Sequence, residues 1–360
     1  MHSNVARHTI AIAIAASLAA VSAAGAAVVT VTDCVTDPHI VVSIATNSTR
    51  IEVGANDLVI QCDLSPAPAT QRVVLGGHDI TIDVGASVLG TDNSQGVVIN
   101  ATGAFTAIES TIQSTNPNGD MSIDSVGDMT FTKATLTIGD ASSAGDAIGI
   151  ACSGGSPKCK ITSTGSTFTA RVFLMDAVGD ITFASTKVIT HGSRDLTRIT
   201  STMGNVNLGT AAVPVGDNCC DGDGGGGGDS FLGGSESNMS VLAFGKINLS
   251  QTNILIAENI CIRSGMSDFS VGACDPCTGG VASAVPADID VSNASIRNDS
   301  GKPGDIRICA DETRATIKLD GAILIDDDAG VSTVSTLNGC AIVPRVPPCV
   351  NLSGTPDTDS

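Results

Sequence analysis

Val126-Gly127-Asp128-Met129-Thr130-Phe131 returns downstream as Val178-Gly179-Asp180-Ile181-Thr182-Phe183. Shorter echoes stand at Gly204-Asn205-Val206-Asn207-Leu208 and Gly245-Lys246-Ile247-Asn248-Leu249. Each copy is a turn glycine followed by alternating apolar and polar β-formers. Such a phrase, repeated at intervals, marks an architecture of stacked coils. The glycines that open the copies, at 103, 127, 179, 204 and 245, are spaced by 24, 52, 25 and 41 residues. Two gaps are one coil each, and the longest is close to two. The gap of 41 holds a 19-residue glycine-rich insertion, 216–234, without which 22 residues remain. Gly165-Ser166-Thr167-Phe168-Thr169 reads as an intermediate copy in a different phase.

Between these phrases run short alternating segments such as Ile80-Thr81-Ile82, Leu136-Thr137-Ile138 and Ile306-Arg307-Ile308, separated by Gly, Asn, Asp and Ser. That is strand-and-turn chemistry, without helical periodicity after the first residues. An antiparallel sandwich has strands at similar spacing but no cause to repeat one phrase every second or third strand. The reading is all-β: a single right-handed parallel β-helix of about ten coils with disulfide-stapled loops, roughly 50 Å long at the spacing of paired strands. Side chains alternate along a strand. Met129, Phe131, Ile181 and Phe183 should therefore face inward, with the intervening Thr outward. The Asp after each glycine should sit at a corner and cap backbone N–H groups.

Composition sets further bounds. The chain of 360 residues carries a net charge of −19, which disfavours nucleic acid as a partner. It has eight Phe and neither Trp nor Tyr, so the usual stacking platforms for sugar rings are missing. Arg7, the apolar run Ile10–Val21 and the small residues after it read as a signal peptide spanning 1–27. No later stretch reaches membrane-spanning length. The β-helix domain is expected over 28–349, with the glycine-rich loop at 217–234 and a polar tail at 350–360. The first mature residues and the segment Cys340–Cys349 read as end caps. Twelve cysteines in an exported chain read as disulfides, with Cys152–Cys159, Cys274–Cys277 and Cys340–Cys349 as the short-loop pairs.

The repeated Gly-Asp-Ile/Met phrases resemble the coils of filamentous-haemagglutinin-like exported β-helix proteins and, more broadly, the pectate-lyase-like superfamily. Asn116-Pro117-Asn118-Gly119 is similar to a turn in the secretion domain of the former, although Asp120 stands where that pattern favours an apolar residue. The resemblance covers about half the chain. It implies either a surface adhesin or a calcium-dependent polysaccharide lyase.

A lyase needs clustered carboxylates beside an Arg or Lys base. The candidates are Asp176, Asp180 and Asp195 near Arg171, Lys187, Arg194 and Arg198. His191-Gly192 departs from the Gly-His-Gly of polygalacturonase-like hydrolases, because Thr190 replaces the first glycine. Asp217, Asp221, Asp223 and Asp229 surround the glycine run, a composition that can wrap Ca2+ through carboxylates and carbonyls. Cys219 and Cys220 would tether that loop to a coil, with Cys261 as a partner. The expected function is a secreted or cell-surface structural or adhesive protein whose partner is a polysaccharide or other surface component. The alternative is a carbohydrate-active enzyme on the same fold. A far-UV circular dichroism spectrum of the chain lacking residues 1–27 should show one broad β minimum and no helical double minimum.

Overall fold

A computed structural model describes residues 26–67, 70–116, 119–139, 147–190, 195–209, 231–234, 237–250, 253–256, 259–265, 287–298, 305–310, 317–319, 322–326, 332–336, 339–343 and 351–352. These residues form a right-handed parallel β-helix with three strands per coil. One coil runs through Met129–Thr132, Thr135–Ile138 and Ala147–Cys152 before Ile161–Thr164 opens the next. The equivalent strands stack into a first, second and third sheet of eleven, eleven and thirteen strands, so the stack departs slightly from the ten coils expected. Among the described residues no helix is long and apolar enough to cross a membrane.

The repeat phrase specifies the first sheet. Phe105, Met129, Ile161 and Ile181 stack in register as one inward column. Two residues further along each strand, Ala107, Phe131, Ser163 and Phe183 form a second column. Met129, Phe131, Ile181 and Phe183 are all fully buried. The outward column between them is Thr81, Thr106, Thr130, Thr162 and Thr182. Large and small residues alternate along the second inward column, so each ring projects over a coil that leaves it room. Ser163 keeps its buried hydroxyl satisfied by accepting from Thr186 Oγ1 at 2.9 Å.

The missing copy within the gap of 52 is thus Lys160-Ile161-Thr162-Ser163. Gly165-Ser166-Thr167-Phe168-Thr169 is the next corner and a second-sheet strand, not a shifted copy of the phrase. The coil before Ile161 is long because the chain leaves the stack after Cys152 and returns through Cys159. The Cys152–Cys159 disulfide closes that excursion, with Cα atoms 5.9 Å apart. A second disulfide joins Cys34 to Cys62, 28 residues apart in sequence. Cys219, Cys220, Cys274, Cys277 and Cys349 lie outside the described residues.

The scarce aromatic rings are concentrated. Phe105, Phe131, Phe168, Phe173 and Phe183 come from all three sheets and meet inside the middle coils, with centroids 5.3–6.2 Å apart. The last inward column of the third sheet is small throughout: Gly77, Ala101, Ser125, Cys152, Ala177 and Ser201 occupy successive coils. The backbone turns tightly there, and a larger side chain would collide with the facing sheet.

Between the first and second sheets the corner residue adopts a left-handed conformation in successive coils. Gly85, Glu109, Lys133, Gly165 and Ser185 have φ of 77°, 43°, 49°, 63° and 49°. Each precedes a buried small residue, in turn Ala86, Ser110, Ala134, Ser166 and Thr186. Non-glycine residues pay strain for this conformation, and the cross-coil backbone bonds around the corner hold them in it. Lys133 Nζ also reaches Glu109 Oε1 of the preceding coil at 2.8 Å.

Antiparallel strands finish the ends of the stack. Ile40–Ser43 pairs antiparallel with Ser48–Glu52 at the start of the third sheet, and Gly339–Val343 with Ser332–Thr336 at its end. Asn351–Leu352, within the expected polar tail, pairs antiparallel with Ala322–Ile323 in the second sheet. Each reversed strand covers the parallel edge of its neighbour and becomes the outermost strand of its sheet. Phe168, from the second sheet, touches rings of the first and third sheets, so Phe168→Ala should cost about 3–5 kcal/mol, read as a lowered midpoint in urea unfolding. Phe168→Leu should cost much less.

Candidate functional site

The corner between the third and first sheets is built by the glycine-acid half of the repeat phrase. A Cβ on Gly127 would lie 2.7 Å from the carbonyl carbon of Gly103, and one on Gly204 would lie 2.5 Å from that of Gly179. Only glycine lets successive coils approach so closely. The next residue forms a vertical column, Asp79, Ala104, Asp128, Lys160, Asp180, Asn205 and Lys246, in which His78 and Cys159 take the glycine's place before Asp79 and Lys160.

Carboxylates and amides in this column cap the coil that follows. Asp79 Oδ1 accepts from Ala104 N–H at 2.7 Å, and Asp128 Oδ1 from Lys160 N–H at 2.9 Å. Asp180 Oδ1 accepts from Asn205 N–H at 2.9 Å, and Asn205 Oδ1 from Lys246 N–H at 2.8 Å. The expected capping role is therefore present, and its target is the next coil rather than the residue's own turn. Lysines interleave with the acids: Lys160 Nζ lies 3.5 Å from Asp180 Oδ2, and Lys246 Nζ lies 2.7 Å from Asp288 Oδ2.

Along this corner lies an open groove of about 390 Å³, bordered by Lys158, Lys160, Asp180, Met203, Asn205 and Phe244. Lys158 Nζ donates to Met203 C=O at 2.9 Å across its mouth. The groove carries two ammonium groups, one of them paired with the Asp180 carboxylate that lines it as well. Its chemistry suits a carboxylate- or hydroxyl-bearing ligand.

Of the lyase candidates, Asp180 borders this groove and the others do not join it there. Asp176 and Arg198 lie in neighbouring third-sheet strands and bind each other, Arg198 Nη2 to Asp176 Oδ2 at 2.9 Å. Asp180 belongs to the corner column, where it bonds Asn205. Asp195 begins the third-sheet strand Asp195–Ser201. Arg171 stands just before Val172–Ala177 of that sheet, whereas Lys187 opens the second-sheet strand Lys187–Thr190. Arg194 and His191 lie outside the described residues, as do Asp217, Asp221, Asp223 and Asp229. Cys261 is buried in the third sheet, but its suggested partners also fall outside.

Sequence reasoning passed over Lys158 and Lys160, and also a group capable of holding a metal, Asp57, His78 and Asp79. The clue to that group was present: Asp79-Ile80-Thr81-Ile82 is an earlier copy of the strand half of the phrase, with His78 in the glycine position. No family model, curated protein or solved structure matches the chain.

Burial raises two carboxylates elsewhere on the coils, but their net shifts are opposite. Burial pushes Asp92 up, but bonds from Ser94 hydroxyl, Ser94 N–H and Gln95 N–H, with Arg72 nearby, outweigh it and leave the carboxyl below its ordinary value. Burial holds Asp124, on the outer face of the third sheet, above the ordinary value, offset in part by the Ser122 hydroxyl at 2.8 Å. The lowered group contributes stability above the ordinary carboxylate range, lost as pH falls through its folded value. The raised group costs stability as pH climbs from the ordinary value through its folded one. Asp124→Asn should therefore raise the melting temperature near neutrality with no gain at about pH 3, whereas Asp92→Asn should lower it near neutrality by a margin that shrinks in acid.

Proposed function

We propose that the protein is an exported β-helix acting at the cell exterior as a structural or adhesive element, with a polysaccharide or another surface component as its partner. The leader 1–27 supports export, and the Cys34–Cys62 and Cys152–Cys159 disulfides suit an oxidising compartment. The observation that carries the reading is how the central charged groups are used. Asp176 is paired with Arg198, while Asp128, Asp180 and Asn205 cap neighbouring coils. A lyase would need such carboxylates gathered for a metal and a cation released to serve as base. The corner groove offers binding groups without that arrangement. On the same reading Asp217, Asp221, Asp223 and Asp229 hold Ca2+ in the glycine-rich loop and stiffen it.

The test is retention on immobilised neutral and acidic polysaccharides and on intact cells, run beside an assay for chain shortening with Ca2+ present. The expected outcome is binding of acidic polysaccharide without release of fragments. Lys158→Ala with Lys160→Ala should weaken that binding about tenfold, equivalent to about 1.4 kcal/mol. Steady depolymerisation of a polyuronate by the purified chain would overturn the adhesive reading in favour of the lyase.

A further inference from the structure

We propose that Asp57, His78 and Asp79 form a binding site for a divalent transition metal of the zinc class, at the corner where the third sheet turns into the first near the N-terminal end of the stack. One donor atom from each of the three residues lies within 4.8 Å of the others. His78 Nδ1 is 3.0 Å from Asp57 Oδ1 and 3.3 Å from Asp79 Oδ1. Two donors bound at zinc distances and separated by octahedral or tetrahedral angles stand about 3.0–3.4 Å apart. The imidazole thus already stands at such spacing from each of the two carboxylates.

Backbone contacts fix the two carboxylates. Asp57 Oδ1 accepts from Asp79 N–H at 3.2 Å, and Asp79 Oδ1 from Ala104 N–H at 2.7 Å. Gly103 leaves the space: a Cβ there would stand 2.1 Å from Asp79 Oδ1 and 3.0 Å from His78 Cε1.

The charge pattern of the corner is a separate argument. Further along, lysines interrupt the acids, as Lys160 does beside Asp180 and Lys246 beside Asp288. Asp57 and Asp79 precede the paired residues Leu58 and Ile80 of adjacent coils, so two carboxylates occupy successive levels with no lysine between them. Among the described residues, their ion-pair partner is His78 alone. A dication neutralises two carboxylates, and imidazole beside carboxylate favours zinc and its transition-metal neighbours over calcium, which prefers an all-oxygen shell. His78 is half-exposed, which leaves room for water or another external ligand.

The test uses the purified full chain, stripped with chelator and titrated near neutral pH with cobalt(II), followed by visible absorption, and with zinc, followed by calorimetry. The wild-type chain should give a cobalt ligand-field spectrum. His78→Gln should lose one equivalent of metal or bind that equivalent at least tenfold more weakly. Asp79→Asn should do the same. Because Asp79 also caps Ala104, His78→Gln is the decisive variant, with its fold checked by circular dichroism. Asp221→Asn with Asp223→Asn should leave the site intact, which separates it from any ion in the glycine-rich loop. If wild type binds neither metal, or a folded His78→Gln chain binds both as wild type does, the three residues are joined by hydrogen bonds only and the proposal fails.

Discussion

The corner bond from a side-chain oxygen of one coil to the backbone N–H of the next is the constraint on which the stack depends. Within the sheets, each strand pairs with its copies above and below. At the corners the chain changes direction, and the regular ladder would leave donors without acceptors. Asp79, Asp128, Asp180 and Asn205 supply those acceptors and tie consecutive coils at one fixed offset. The glycines before Asp128, Asp180 and Asn205 permit the close approach, and the interposed lysines keep the acids from repelling along the axis. A coil that slipped by one residue would lose its cap and turn its apolar positions outward together.

Inside, the same register divides the work between columns. The first sheet offers broad side chains, the last third-sheet column only small ones, and the five buried rings fill the space between sheets in the middle coils. Burying a Phe, Ile or Leu side chain contributes about 1.5–3 kcal/mol. That gain exists only when neighbouring coils cover both sides, as repeat architectures require. The outward threonines of the first sheet fit the same logic: β-branched, polar and stacked in register.

The parallel stack and the inward positions of Met129, Phe131, Ile181 and Phe183 were legible because turn chemistry and strand alternation coincide in the repeated phrase. The copy at Lys160 was hidden because Lys stands in for Asp and Ser163 for Phe, even though each substitution suits its column. The left-handed corner was hidden for another reason. Glu109 and Lys133 have no turn propensity to announce φ values that cross-coil bonds impose. The chemistry was less legible still. Asp176 and Arg198 looked like an acid beside a base and turned out to be a pair bound to each other. Asp57 meets His78 across 21 residues of chain, a proximity created by one turn of the helix and invisible to local motif reading.

The disulfide between Cys34 and Cys62 gives the rod a mechanical polarity. Its Cα atoms are 5.8 Å apart although 28 residues of chain separate them, so it bridges the first turn of the winding. A pull on the N-terminus strips Val28–Val31 first and would, without the bridge, go on to unreel the stack coil by coil, each step loading only a few hydrogen bonds. With the bridge intact, tension passes from Cys34 directly to Cys62, and the 28-residue loop between them bears no load. Force reaches the interior only after the wound body begins to yield as a unit. Reduction of one bond would turn this anchored spool into one that pays out thread from its end.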